Sequence, residues 1–410
     1  MTGFATKAVH GALLKPDAHG TLRPPVYDNV AFEFKDSHDI QLAFEGRKPA
    51  HSYSRVSNPT VDEFEQRVRL LSDALGVIAV SSGMAAISNV IMALAEAGTN
   101  VVTTRWVFGN TYSLFAETFK AWGLETRFID MSDYRALAGA IDGNTCAVFF
   151  EVITNPQLQV VDVAEVTRIA HERNVPVVLD GTVTTPYLFR SKDYGVDVEI
   201  ISSTKYISGG ATSMGGLIID NGLFRWKNHP KLEPAAKKYG PQTLLATLRR
   251  EVYRNMGACQ SPHNAFLQTL GLETLSLRID KSSANALAVA RWLEQQSKVA
   301  SVNYPRLDSY AGKRLANRQF PRGVGGILTF DLDSRAECFA FQDALRLVRR
   351  ATNINDNKTL VLHPSSTIFC EYSDADKTAM GVRDTMLRLS VGIEEPEDII
   401  EDLQKGLGAI

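Results

Sequence analysis

Lys205 stands in the stretch SSTKYISGG, behind an apolar run and ahead of paired glycines, 25 residues after the Asp180 of VVLDGTVTTP. A lysine amine that is partly desolvated, or close to other cations, has a lowered pKa and can form a Schiff base with an aldehyde. Taken singly, a lysine is far more often a solvated charge. Ser202 and Thr204 precede it two residues apart, so a strand end presents both hydroxyls on one face, where they can donate to a single anion. Asp180 closes an apolar run; it either caps the next segment or supplies the anion that keeps a heteroaromatic nitrogen protonated. In AVSSGMAAI, residues Ser81, Ser82, Gly83 and Met84 separate an apolar strand from a helix. Free N–H groups at a helix start, with a glycine allowing close approach, form a phosphate seat, although ordinary strand-to-helix turns use Ser and Gly too.

Such groups meet only if several strand ends are brought together. From about residue 60, helix-length segments alternate with short apolar runs: NVVTT, LETRFI, CAVFFE, VPVVLD, VEIISS and MGGLIID. Strands without polar alternation, separated by helices, predict a mainly parallel, doubly wound α/β sheet covered on both faces. Ligands of such sheets collect outside the carboxyl ends of the strands, where Asp180 and Lys205 fall. The chain of 410 residues exceeds the size at which one core usually stops growing. We expect an extended N-terminal arm over 1–55 that packs on another subunit, a cofactor-binding α/β domain over 56–250, and a smaller C-terminal α+β domain over 251–410, with strands in GILTFDL and MLRLSV. With 44 basic and 46 acidic residues, a net charge of -2 and no long run of either sign, nothing points to nucleic acid or an anionic membrane. No signal peptide and no run near the length of a membrane span is present, so a soluble cytoplasmic protein is the expectation. The four cysteines are scattered without a CxxC pair, which argues against a zinc site or a disulfide framework.

A phosphate seat, a partner for a ring nitrogen and a reactive amine at the strand ends of one sheet are what pyridoxal 5'-phosphate needs, the protein supplying the groups that orient its electron-withdrawing ring. The order YSRVSNPT, SSGMAA, LDGTVTTPYL, SSTKYISGG and LRLSVGIE resembles the Cys/Met-metabolism group of fold type I pyridoxal phosphate enzymes over nearly the whole chain. The resemblance implies that Lys205 is the Schiff-base lysine, Asp180 the ring-nitrogen partner, and Gly83, Met84, Ser202 and Thr204 phosphate ligands, with Ser82 and Thr182 beside them. It further implies that Tyr53 and Arg55 reach the cofactor phosphate of a neighbouring subunit, giving a homotetramer of active-site-sharing dimers; for Arg55 a surface ion pair is the plain alternative. Glu151 and Asn155 match positions near the cofactor ring, and Arg388 the arginine that holds the substrate's α-carboxylate. Thr359 matches a loop position that helps bind that carboxylate, or else caps a local amide.

Three departures from the family pattern bear on the reaction. Phe108 in WVFGNTYSL replaces a tyrosine that stacks on the cofactor and takes part in proton transfer; it keeps the ring and loses the hydroxyl, and Tyr112 is the candidate substitute. The common Asp-Asn-Thr becomes Asp180-Gly181-Thr182. The histidine usual after HPxST is missing from HPSSTIFCEY, and Ser208-Gly209-Gly210 replaces the usual GGH, which makes Phe369 and Cys370 candidates for shaping the pocket. The segments ISGGATSMGGLIID and NINDNKTLVLHPSST look most like O-acetylhomoserine sulfhydrylase, implying γ-replacement on an O-acylated homoserine by sulfide or a thiol. Alternatives are a methionine γ-lyase or cystathionine-type lyase, a γ-substitution enzyme using a carbon nucleophile, and an inactive homologue that only binds the cofactor.

Overall fold

The computed structural model describes residues 3–11 and 19–410. The apolar runs become strands of one seven-stranded sheet: β1 (Gly76–Val80), β2 (Asn100–Thr103), β3 (Glu125–Phe128), β4 (Thr145–Glu151), β5 (Val177–Asp180), β6 (Val198–Ile201) and β7 (Gly216–Asp220), in the order β1-β7-β6-β5-β4-β2-β3. The pairs from β6 through β3 are parallel, whereas β7 runs antiparallel to both β6 and β1. Apart from the partly exposed edge strand β3, these strands are largely buried on both faces and correspondingly apolar, as a covered sheet requires.

The second sheet holds β8 (Ser301–Asn303), β9 (Ile327–Asp331), β10 (Arg349–Arg350), β11 (Leu360–Leu362) and β12 (Met386–Ser390), in the order β10-β11-β12-β9-β8. One apolar core includes Val152, Leu179 and Phe189 of the first layer together with Ile327, Leu389 and Leu403 of the second. The two layers therefore share one core, to which the helix Leu275–Leu293 contributes, rather than being tethered by a linker. Beyond residue 250, the helix Pro262–Glu273 still packs on the large layer, against the helix Pro59–Ser72 and the turn Tyr206–Ser208. The buried Arg278 donates to the carbonyls of Tyr206 at 2.7 Å and Gly271 at 2.6 Å. These bonds, and a Gly271 whose Cβ would lie 2.1 Å from the Ile207 carbonyl oxygen, fix the loop that carries Lys205.

In the N-terminal part, short helices Phe4–His10 and Ser37–Phe44 interrupt largely extended chain. Val30, Phe44 and Tyr53 are exposed there.

Candidate active site

A cavity of about 230 Å³ opens at the carboxyl ends of β4, β5 and β6, and β12 of the second sheet closes its far side. Of the residues singled out in the sequence, Ser82, Gly83, Met84, Phe108, Glu151, Asn155, Asp180, Thr182, Ser202, Thr204, Lys205 and Arg388 all line it.

One end of the cavity is built for an anion. Ser82 caps the helix Gly83–Leu94, its Oγ accepting from the Ala85 N–H at 3.0 Å, and the N–H groups of the first helical residues have no intrahelical acceptor. A Cβ on Gly83 would fall 2.7 Å from the Ser202 Cβ, so glycine is what lets the helix start press against the end of β6. The hydroxyl-bearing Ser202 and Thr204 thereby face the free amides. The Thr204 Oγ1 is itself tied to Gly215, donating to its carbonyl and accepting from its N–H, each at 3.1 Å.

Across from that end lie two carboxyls. Glu151 and Asp180 are neighbours in register on β4 and β5. Glu151 accepts from the Phe108 N–H at 2.6 Å and the Asn155 N–H at 3.1 Å, and Asp180 accepts from the Thr182 N–H at 2.9 Å. Burial raises the Asp180 pKa, and burial with the neighbouring Asp180 charge raises that of Glu151 well above the carboxylate range. Among the described residues no cation acts on the buried Glu151 or the half-buried Asp180, so a cationic ligand group there would draw the Asp180 carboxyl back toward its ionised form. A cationic ring nitrogen is the kind of group this pair could hold.

Lys205 is half-buried, and its Nζ donates to Asn353 Oδ1 at 2.6 Å. Burial, with the nearby Arg388 charge, pulls its pKa down to about 8 against an opposing pull from Asp356. Arg388 is 2 % exposed; it donates to Asn155 Oδ1 at 3.0 Å and to the carbonyls of Thr352 and Asn353 at 3.2 and 3.3 Å, leaving its Nε without a partner among the described residues. Burial lowers its pKa to about 9. A buried guanidinium with an idle donor and no carboxylate partner is a ready seat for a substrate carboxylate.

Thr359 corrects the sequence expectation. Its hydroxyl donates to Glu394 Oε2 at 2.9 Å and accepts from the Gly392 N–H at 3.0 Å, while its own N–H donates to Glu394 Oε1 at 2.6 Å. It is the local capping hydroxyl, fully buried outside the cavity; Thr352 and Ile354, earlier in the same segment, line the cavity instead. Tyr112 lies outside the lining as well: its hydroxyl accepts from Arg105 at 2.9 Å and its ring packs on Phe128 and Tyr372. Phe369 is buried with Met380 and Val382, and Cys370 is exposed, so neither shapes the cavity wall. Tyr53 and Arg55 sit on the surface of this chain, with the guanidinium over the ring at 5.5 Å and Arg55 Nη1 donating to the Arg254 carbonyl at 2.5 Å. Asn353 and Thr111 are functional candidates that sequence reading missed. Thr111, three residues beyond Phe108, lines the cavity, and a helical turn after Phe108 was the available signal. Asn353 carried none, because its partner Lys205 lies far away in sequence.

A reactive amine, a phosphate seat and a carboxyl pair at the strand ends of a doubly wound sheet define a pyridoxal phosphate site on the type I fold. The Cys/Met metabolism PLP-dependent enzyme family matches residues 5–408, and the chain belongs to it. The chain is 35% identical to the homocysteine synthase of Schizosaccharomyces pombe, covering 98% of each protein. It is 34% identical to the O-acetyl-L-homoserine sulfhydrylase of Corynebacterium glutamicum, over 100% of this chain and 97% of that protein. Against the L-methionine gamma-lyase of Pseudomonas putida the identity is 33%, over 100% and 98%. Among solved structures, a Campylobacter jejuni protein assigned as an O-acetylhomoserine (thiol)-lyase superposes with a TM-score of 0.95 at 32% identity, covering 99% of this chain and 100% of that one. It carries N'-pyridoxyl-lysine-5'-monophosphate at position 205 of that protein. An O-acetylhomoserine sulfhydrylase of Wolinella succinogenes is 47% identical, with a TM-score of 0.77 over 86% of this chain and 98% of that chain.

Proposed function

We propose that this protein catalyses γ-replacement on an O-acylated homoserine, exchanging the acyloxy group for sulfide or a thiol. The observation that carries the reading is the shared cavity of Lys205 and Arg388, a proton-transferring amine beside an unsatisfied carboxylate seat. The names of the relatives favour the same chemistry. When bound, the cofactor supplies an electron sink that acidifies the substrate's Cα–H. The N–H groups of Gly83 and Met84 with Ser202 and Thr204 hold its phosphate, Asp180 keeps its ring nitrogen protonated, and the Phe108 ring covers its face. Ser82 and Thr182 brace these groups. Arg388, aimed by Asn155, fixes the α-carboxylate so that Cα lies within reach of Lys205. Lys205 Nζ takes the Cα proton, a Cβ proton is then given up so that the acyloxy group leaves from Cγ as carboxylate, the sulfur nucleophile bonds at Cγ, and protons return to Cβ and, from Lys205, to Cα. With O-acetylhomoserine and sulfide, the products are homocysteine and acetate.

The exposed apolar residues of the N-terminal arm, Tyr53 among them, and the exposed Arg55 beside that ring support a homotetramer of dimers that share their active sites, each arm reaching a neighbour's phosphate. Four free cysteines and the absence, among the described residues, of a helix long and apolar enough to cross a membrane support a cytoplasmic location. Incubation with O-acetylhomoserine, with and without sulfide, tests the reaction: homocysteine formed only when sulfide is present is expected. Release of 2-oxobutyrate and ammonia without sulfide would instead establish a lyase, and a cofactor spectrum indifferent to substrate an inactive homologue.

A further inference from the structure

Behind Asp180, on the face of the sheet away from the cavity, lies a carboxyl that the chemistry above does not use. Glu199 of β6 is 1 % exposed and stands in register with Leu179, so the alternation of the strand sends it to the face opposite Asp180. Ser191 Oγ donates to its Oε2 at 2.6 Å, and Asn221 Nδ2 donates in turn to Ser191 Oγ at 3.0 Å. Its second oxygen, Oε1, has no hydrogen-bond partner among the described residues. Burial, opposed by the Ser191 hydrogen bond and aided by the Asp180 charge, raises its pKa to about 8, so the carboxyl holds its proton at neutral pH.

That unpartnered oxygen occupies the place where a side chain at residue 181 would begin. A Cβ on Gly181 would fall 2.2 Å from Glu199 Oε1. Gly181 is not among the glycines with positive φ, so its backbone does not demand glycine; the carboxyl does. Gly181 is also where the chain departs from Asp-Asn-Thr. The turn it forms carries two consequences into the cavity: the Thr182 N–H aims Asp180 at 2.9 Å, and Thr182 Oγ1 accepts from the Ser202 N–H at 2.8 Å.

We propose that Glu199 is a positioning residue for the cofactor: it acts through Gly181 to seat the Asp180–Thr182 turn, and residues 181 and 199 are a matched pair. The inference rests on Asp180 being the ring-nitrogen partner. A side chain added at 181 while Glu199 is present pushes the turn toward the cavity, displacing the ring partner and the phosphate hydroxyl of Ser202 together. Loss of Glu199 leaves a hollow into which the turn relaxes.

The test is a double-mutant cycle on the full-length protein, read by titrating apoprotein with pyridoxal 5'-phosphate, by the visible spectrum of the bound cofactor and by thermal unfolding. Gly181→Ala is expected to weaken cofactor binding by about tenfold or more and to shift the spectrum, whereas in the Glu199→Ala background the same change costs less than about threefold. Glu199→Gln, which keeps the volume, should bind cofactor like the parent protein. Equal costs of Gly181→Ala in both backgrounds overturn the proposal. If Gly181→Ala does not fold, Glu199→Ala against Glu199→Gln decides: weakened binding in the first and parental binding in the second support it, and parental behaviour in both overturns it. Asp180→Ala separates the premises, since unchanged affinity and spectrum there defeat the ring-nitrogen reading itself. A perturbed Asp180→Ala protein with additive 181 and 199 effects defeats only the matched pair.

Discussion

The chemistry of Lys205 follows from what surrounds its Nζ. An ammonium in the open gains nothing by losing its proton near neutrality, but burial and the Arg388 charge bring this amine down to about 8. Asn353 Oδ1 receives it, and that amide is oriented because its Nδ2 donates to Asp356 at 3.2 Å. Only the neutral amine attacks an aldehyde. The rate at which apoprotein recombines with pyridoxal 5'-phosphate should therefore rise by about tenfold per pH unit in the acid range and level off above pH about 8. Stopped-flow absorbance checks this; a rate still rising steeply up to the ordinary lysine value would mean that the amine is solvated. Positions 180, 202, 204 and 205 stood out in the sequence by their combination at strand ends, none of them unusual alone, whereas Arg388, in the middle of β12, stood out only through the family resemblance; all five line the cavity. For Thr359 the sequence left a substrate contact and a local cap side by side. A loop hydroxyl has the same sequence appearance whether it faces a cavity or, as here, Glu394 and the Gly392 N–H, 35 and 33 residues on.

At the scale of elements, the site depends on a helix start and a strand end touching without side chains between them. Gly83→Ala would set a Cβ 2.7 Å from the Ser202 Cβ, forcing the helix Gly83–Leu94 away from β6 and separating its free amides from the Ser202 and Thr204 hydroxyls. Cofactor affinity should fall by about tenfold or more, ~1.4 kcal/mol, with little change in helix content, as titration alongside circular dichroism would show. Parental affinity would mean that the phosphate seat lies elsewhere. The alternation of helices and apolar strands made the sheet legible, since burial on both faces writes the same pattern into the inner strands, while the edge strand β3 is partly exposed. The antiparallel course of β7 was not legible: an apolar strand reads alike in either direction, and no helix-length pattern separates it from β6. The closeness of Gly181 to Glu199, or of Lys205 to Asn353, is equally invisible, because it is created by the sheet order and by the packing of the two layers.

For the whole molecule, the proposed sharing of active sites between subunits rests on the N-terminal arm. Tyr53 and Arg55 lie outside the cavity of their own chain, yet the arm that bears them exposes apolar side chains that a neighbour can cover. Mixing Lys205→Ala with Arg55→Ala subunits tests this. If Arg55 serves the neighbour's phosphate, hybrid dimers contain one doubly damaged site and one intact site, and activity reappears on mixing two impaired proteins. Activity that stays at the level of the separate variants would mean that Arg55 serves its own chain or only the surface.

The central claim is that Lys205 carries the cofactor. Borohydride reduces a carbon–nitrogen double bond between a lysine and an aldehyde to a stable amine, so reduction of the holoprotein followed by peptide mass mapping locates the linkage directly. The pyridoxyl phosphate mass is predicted on the peptide containing SSTKYISGG, at Lys205 alone, with no labelled peptide from Lys205→Ala. Label on another lysine, or undiminished label in the Lys205→Ala protein, would contradict the account.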